Sequence, residues 1–344
     1  MKKIVCLAVA GLLAAGVVCA KGGGEKAGEK KTKGFRIAES TCYLTPTWQK
    51  LTVQWAESQF NKYKADGTVT GEFRVVDANQ NTAQQATDIQ NLVKAGYDAI
   101  IVIANDSEAL NDTLAQAEED GVIIINIDSL VTSEDITSKI GTDSLDFGAT
   151  VAQWVIDQIG GRGNVIVCNG PNGVAVSEDR RKGAMDVLAK YPNIRVVAET
   201  YSDYNEGPAI DAIRPVLDAN PNIDGIITLG GSQGSAALKT LQAMNRKLVP
   251  IGSENYGAYL KNWQNLRAQG FSSFVVGQPN WLGAIGVEQA VRALKGETVK
   301  KEVIIPIGST VIDDAAIEKL DLSSLADDGY LFTITDEQIN ALLK

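Results

Sequence analysis

The chain contains no histidine. That removes Ser-His-Asp and Cys-His catalysis, and histidine metal sites, from the functions open to it. Cysteine is scarce: there are four in 344 residues, and Cys6 and Cys19 fall within the first twenty. Cys42 and Cys168 remain for the folded part, either as one disulfide or as two buried free thiols, with the thiols preferred. Proline is also sparse, at nine residues, and 44% of the chain is apolar, so the composition is that of a globular protein. No apolar run reaches the ~20 residues of a membrane span. There is no G-x-G-x-x-G and no phosphate loop with its lysine. Basic residues are outnumbered 32 to 42. The first 34 residues hold seven lysines and two glutamates, which leaves the remainder at about −15. A domain that acidic repels phosphate backbones, and nucleic-acid binding is excluded.

What is present begins with Lys2 and Lys3, an apolar run at 4–18 and the small-residue pattern Val18-Cys19-Ala20. Residues 1–20 are read as an export signal peptide. Cys19 admits a second reading, lipid attachment to a new N-terminal cysteine. Residues 21–34, rich in Gly and Lys without periodicity, are a flexible linker. From residue 35 on, short apolar runs alternate with amphipathic helices, which predicts an α/β doubly wound sheet. The clearest unit spans 95–128. Two apolar runs, 99–104 and 122–127, lack a polar face and read as strands buried on both sides of a parallel sheet. Between them, 107–119 is an amphipathic helix. The polar segment 131–143 reads as a crossover between two lobes, and the tail 309–344 as irregular with a last helix at 336–343.

Open parallel sheets bind ligands at the carboxyl ends of their strands. The residues there are Asn105-Asp106, Asp128-Ser129 and Glu254, with Glu178 at a helix start. Ionised carboxylates accept hydroxyl protons in charge-assisted bonds. Asp106 reads better as a cap of the helix that follows. Loop aromatics Tyr43, Trp48, Tyr204 and Trp281 offer faces for stacking on a sugar ring, whereas Trp55, Trp154 and Trp263 lie in helices and read as core. Leu229-Gly230-Gly231-Ser232-Gln233-Gly234 follows a strand and opens a helix. Without the dinucleotide spacing, its glycines read as a backbone turn at a cleft edge.

In this order and spacing, several motifs resemble the ribose-type (type I) family of bacterial solute-binding proteins that serve ABC sugar importers. They are Asp77-Ala78-Asn79-Gln80-Asn81 with Gln85, AIIVIANDSEAL, IIINID, IGTD, the Arg180-Arg181-Lys182-Gly183 helix start, YPNI, NPNIDGI, IGSEN and VVGQP. The resemblance runs over about 35–307. It implies two Rossmann-like doubly wound lobes joined by a three-strand hinge, with lobe one at 34–142 plus 279–307 and lobe two at 143–278 plus 308–344.

The resemblance also implies a non-enzymatic, cofactor-free monomer in the periplasm, or lipid-anchored at Cys19. It would close on a small sugar or polyol and deliver it to the membrane subunits of an ABC permease. The alternative is a sensor, with an autoinducer, polyol or nucleoside ligand, that feeds a chemoreceptor or kinase. The family's ligand positions fall on Trp48, Asp128, Tyr204, Glu254 and Gln278; Thr41 and Tyr43, after the first strand, join them as candidates from the sequence itself. The family's arginine at the second-lobe helix falls on or beside Glu178, although Arg180 is near, the arginine after the strand-end aspartate is Ser129, and the asparagine or aspartate expected around Gly230-Gly231 is glycine. These departures imply a pocket short of cationic and amide donors, and hence a ligand other than ribose.

Overall fold

A strand with helices on both faces must be apolar on both, and β3 (Ala99–Ile103, AIIVI) is buried at every position. Its alternate side chains serve two cores. Ala99, Ile101 and Ile103 pack with α1 (Thr47–Ala65) and α9 (Leu282–Leu294), whereas Ile100 and Val102 pack with α2 (Thr82–Lys94) and α3 (Asn111–Glu119). Each isoleucine or valine side chain so buried stabilises the fold by roughly 1.5–3 kcal/mol. These coordinates are a computed structural model, and they describe residues 34–344. The expected signal peptide at 1–20, the expected linker up to residue 33 and Cys19 lie outside the described residues.

The sheet around β3 has six parallel strands in the order β11-β5-β4-β3-β1-β2. They are β1 (Ile37–Thr41), β2 (Arg74–Asp77), β3, β4 (Ile123–Ile127), β5 (Ser138–Thr142) and β11 (Glu302–Ile305). A second parallel sheet, β10-β9-β8-β6-β7, comprises β6 (Gly163–Asn169), β7 (Ile194–Tyr201), β8 (Gly225–Thr228), β9 (Ile251–Glu254) and β10 (Ser273–Val276). One face of it packs on α6 (Glu206–Ala219), α7 (Gly231–Ala243), α8 (Gly257–Leu266) and α10 (Asp314–Ile317). The other packs on α4 (Ser144–Gln158) and α5 (Ala175–Leu188). The two α/β lobes are those expected. Two strands were not expected: β5, inside the supposed crossover, and β11.

The chain passes between the sheets after β5, between β10 and α9, and between Ile305, in the first core, and Ile307, in the second. The tail departs from expectation. It begins on the second lobe, where Ile317 and Leu322 are core residues, but α11 (Asp336–Leu343) buries Ile339 and Leu343 in the core of the first. The tail is therefore shared between the lobes, because the apolar face of α11 finds its cover beside α9.

Helices α4 and α5 cross backbone to backbone. A Cβ on Gly148 would lie 1.8 Å from the Arg180 carbonyl oxygen, and one on Gly183 would lie 1.9 Å from that of Leu145. Only glycine fits either position, and the crossing fixes where α5 carries Arg180.

Candidate functional site

All strands of each sheet are parallel, so their carboxyl ends gather on one edge, and the edges of both sheets supply one cavity. It is lined by Asp128 and Ser129 after β4, Glu254 at the end of β9, Gln278 in the second crossing, Arg180 from α5, and the aromatics Tyr43, Trp48, Tyr204 and Tyr330. Its volume of about 40 Å³ is room for a few waters at roughly 10–15 Å³ each.

Asp128 leaves β4 in the left-handed region, at φ 61°, which aspartate tolerates better than most residues. Its Oδ1 accepts from Gln278 Nε2 at 2.6 Å, and Gln278 Oε1 accepts from Thr142 Oγ1 at 2.5 Å. Burial raises the Asp128 pKa above its ordinary value, against the pull of Arg180 and of the Gln278 hydrogen bond. Trp48 gives its indole N–H to the Gln278 carbonyl at 3.0 Å, which leaves the ring faces as its contribution to the cavity.

Arg180 is 3% exposed. Its Nη1 donates to Glu254 Oε2 at 3.1 Å and to the Leu229 carbonyl at 2.8 Å, and the guanidinium lies 3.9 Å over the Phe147 ring. Its Nε finds no hydrogen-bond partner among the described residues, nor do the hydroxyls of Ser129 and Ser232, which also line the cavity. Burial pushes Glu254 up to about 7, partly offset by Arg180. Two carboxylates thus share one cation, and an ion pair taken out of water this far holds together only while each charge keeps its partner.

Three sequence-predicted residues lie elsewhere. Glu178 does not line the cavity; its Oε1 accepts the Gly173 N–H at 2.8 Å and fixes the loop before α5. The cationic donor expected to be lost is present as Arg180, two positions on. Thr41 is wholly buried and donates to Gln49 Oε1 at 3.3 Å, one side chain removed from the cavity that Gln49 lines. Trp281 packs in the first core. Tyr204 lies over glycine, and a Cβ on Gly230 would sit 2.5 Å from its ring. The expected turn at a cleft edge is therefore one that glycine alone permits.

Arg180 stands near the expected arginine position but outside the expected site set, although the sequence carries a signal for it. Val176, Arg180, Gly183-Ala184 and Val187 recur at helical spacing on the buried face of α5, while Lys182 points out. Tyr330 was missed because it sits in an irregular stretch of the tail. Cys42 and Cys168 are both buried and free. Among the described residues no helix is long and apolar enough to cross a membrane, and no cluster of acidic or cysteine side chains could hold a metal ion.

Two parallel-sheet lobes with converging strand ends around a buried polar cavity define a two-lobed small-molecule-binding protein. The chain belongs to the family described as the periplasmic binding protein domain, whose model matches residues 40–298. That family is one of periplasmic or extracytoplasmic solute-binding proteins, not of enzymes. The chain is 28% identical over 252 residues to the xylitol-binding protein of Mycolicibacterium smegmatis, which covers 72% of this chain and 69% of that protein. It is 22% identical over 233 residues to the ribose import binding protein of Bacillus subtilis, covering 68% and 75%. Among solved structures it shares the fold of an ABC transporter solute binding protein from Thermobispora bispora. There the TM-score is 0.79 and the identity 23%, over 89% of this chain and 93% of that one. It also shares the fold of one from Bacillus halodurans with bound myo-inositol, with a TM-score of 0.72 and 19% identity over 83% and 97%.

Proposed function

We propose that the protein captures a neutral polyhydroxylated molecule, a small sugar or a polyol, by closure of the lobes and delivers it to an ABC importer. The observation that carries this reading is the composition of the cavity. Asp128, Glu254 and Gln278 offer acceptors, Arg180 and the free hydroxyls of Ser129 and Ser232 offer further polar partners, and Tyr43, Trp48 and Tyr204 supply flat apolar walls. Hydroxyls satisfy such a set pairwise, and ring C–H faces suit the aromatics. With two carboxylates around one guanidinium, anionic ligands such as sugar phosphates are disfavoured. The xylitol-binding and ribose-binding relatives place both chemistries within reach of one family. Closure follows from ligand contacts made to both lobes at once, which favour the closed state by their differential affinity.

We infer further that the protein acts outside the cytoplasm as a monomer, either free or lipid-anchored at Cys19. Gel filtration and membrane fractionation of a Cys19→Ala variant test those two statements.

The ligand reading is tested by a thermal-shift screen over sugars, polyols, nucleosides and amino acids. A ligand at about 100 times its Kd adds ~2.7 kcal/mol of stability by mass action. Stabilisation by xylitol, ribose or a related polyol is expected. Stabilisation by nucleotides or amino acids alone overturns the reading.

A further inference from the structure

The part of the chain that follows the third crossing does more than end the fold. After α10 it stays on the second lobe, where Gln264 Nε2 donates to the carbonyls of Ile317 and Leu320 at 2.7 and 2.9 Å. It then covers the start of α8. The Gly257 and Ala258 N–H groups, left without partners at a helix start, donate to the carbonyls of Gly329 and Asp327 at 2.9 and 2.7 Å. The Leu331 N–H donates to Asn255 Oδ1 at 3.0 Å, one residue beyond the site acid Glu254.

From there the side chains divide between the lobes. Leu331 and Phe332 pack with the second core, whereas Tyr330 and Ile334 pack with the first. Phe332 lies against Gly277 in the second crossing, its ring atoms 3.0 Å from where a Cβ would stand. The Tyr330 ring reaches the cavity and meets Tyr256 edge-on at 5.8 Å. α11 then docks on the first lobe. It carries a capping box between Thr335 and Gln338, its Ile339 and Leu343 are buried, Asp336 pairs with Lys62 at 2.5 Å, and Asn340 accepts from Arg292.

We propose that residues 327–343 form a fourth connection between the lobes, which restrains opening of the cleft and supplies Tyr330 as a wall of the binding cavity. Both lobes cannot part around three hinge segments unless this one also yields, either at the hydrogen bonds to α8 or at the apolar seat of α11. Of these, α11 is the weaker hold, with two buried side chains and exposed polar contacts. The inference goes beyond the ligand reading and depends on no ligand.

Cys42 lines the same cavity and reports its opening, while Cys168 sits in the second core and does not line it. The test is maleimide labelling of the full chain, read at each cysteine by peptide mass spectrometry. Hydrogen exchange of β3 and β4 is followed alongside, to register any unfolding of the first lobe. The variants are Ile339→Ala with Leu343→Ala, which loosens α11, and Tyr330→Ala, which removes the wall. In both, Cys42 is expected to react about tenfold faster than in the parent chain, with Cys168 labelling and β3 and β4 exchange unchanged. Unaltered Cys42 rates in both variants overturn the proposal. So does a rise that β3 and β4 exchange follow in step, since the reporter would then be reading loss of the lobe.

Discussion

Gln278 holds Asp128. Its amide nitrogen donates to Oδ1 at 2.6 Å across a separation of 150 residues, and its amide oxygen takes the Thr142 hydroxyl at 2.5 Å. Thr142 stands at the first crossing and Gln278 in the second, so one side chain joins two hinge segments and aims a site carboxylate.

Gln278→Ala leaves the Asp128 carboxylate and the Thr142 hydroxyl buried without this partner. We expect a loss of about 1–3 kcal/mol in urea unfolding, the usual consequence of an unsatisfied buried polar group. Affinity for whichever sugar or polyol the thermal screen selects should fall with it. Stability lost at unchanged affinity would make Gln278 a hinge residue and nothing more.

Arg180 is the cation on which two buried acids depend. Arg180→Met should destabilise the protein by about 3–5 kcal/mol, because Glu254 is left as an uncompensated buried charge. Adding Glu254→Gln should recover part of that loss. A double-mutant cycle measures the coupling between them, and a coupling near zero would show that the contact does not hold the lobe together.

Glu39 has no part in the site, yet its carboxyl is fully buried in β1, and neither oxygen has a hydrogen-bond partner among the described residues. Burial pushes it from the ordinary 4.5 up to about 8, with the Glu57 charge adding to the shift. The folded state therefore holds this proton over a range where the unfolded chain has released it. Stability must fall as pH rises from about 4.5 through about 8, by an amount on the order of a few kcal/mol. Glu254, raised to about 7, acts with the same sign. Glu39→Gln should match the parent Tm near pH 4.5 and exceed it increasingly toward pH 8.5. Parallel Tm curves for the two proteins would show that Glu39 does not titrate in this range.

Gly148→Ala touches neither cavity nor ligand. The added methyl would stand 1.8 Å from the Arg180 carbonyl oxygen and 3.0 Å from the Ala184 nitrogen, and overpacking of this kind costs about 1–3 kcal/mol. Because the displaced segment carries Arg180, affinity for the selected sugar should fall along with Tm. Stability lost with affinity intact would show that the helix crossing does not aim the arginine.

The central strands were legible because burial on both faces leaves only apolar residues to write them. The runs at 99–104 and 122–127 became β3 and β4 within a residue at each end. β5 was illegible for the opposite reason. Its sequence SKIGT is half polar, and it is a buried strand because Ser138 Oγ donates to the Lys300 carbonyl at 2.6 Å and Lys139 pairs with Glu134. Those partners lie in loops that sequence periodicity does not connect to it. The helix expected at 107–119 starts at Asn111 instead, since Asp106 Oδ1 accepts from the Glu108 and Ala109 N–H groups, both at 2.8 Å, and caps a turn. At the site, the strand-end acids Asp128 and Glu254 followed from sheet topology. Arg180 needed the helical phase of α5, and Tyr330 needed the path of a tail without periodicity.

The seat of α11 also bears on the order in which the molecule is assembled. The first lobe draws on three separated stretches, its first strands, α9 with β11, and α11, and Gln59 in α1 waits for Glu288 in α9, 229 positions later, before its 3.0 Å hydrogen bond can form. The second lobe runs almost without interruption from α4 to β10. Chains emerge from the ribosome amino end first, at about 5–20 residues per second. Contacts of long separation also form late, because the loop between them must close first. The second lobe is thus able to settle while the first is unfinished, although the first is the earlier to be synthesised. Ile339 and Leu343 arrive last on a core begun by Ile37, so the lobe that starts the chain is also the one its end completes.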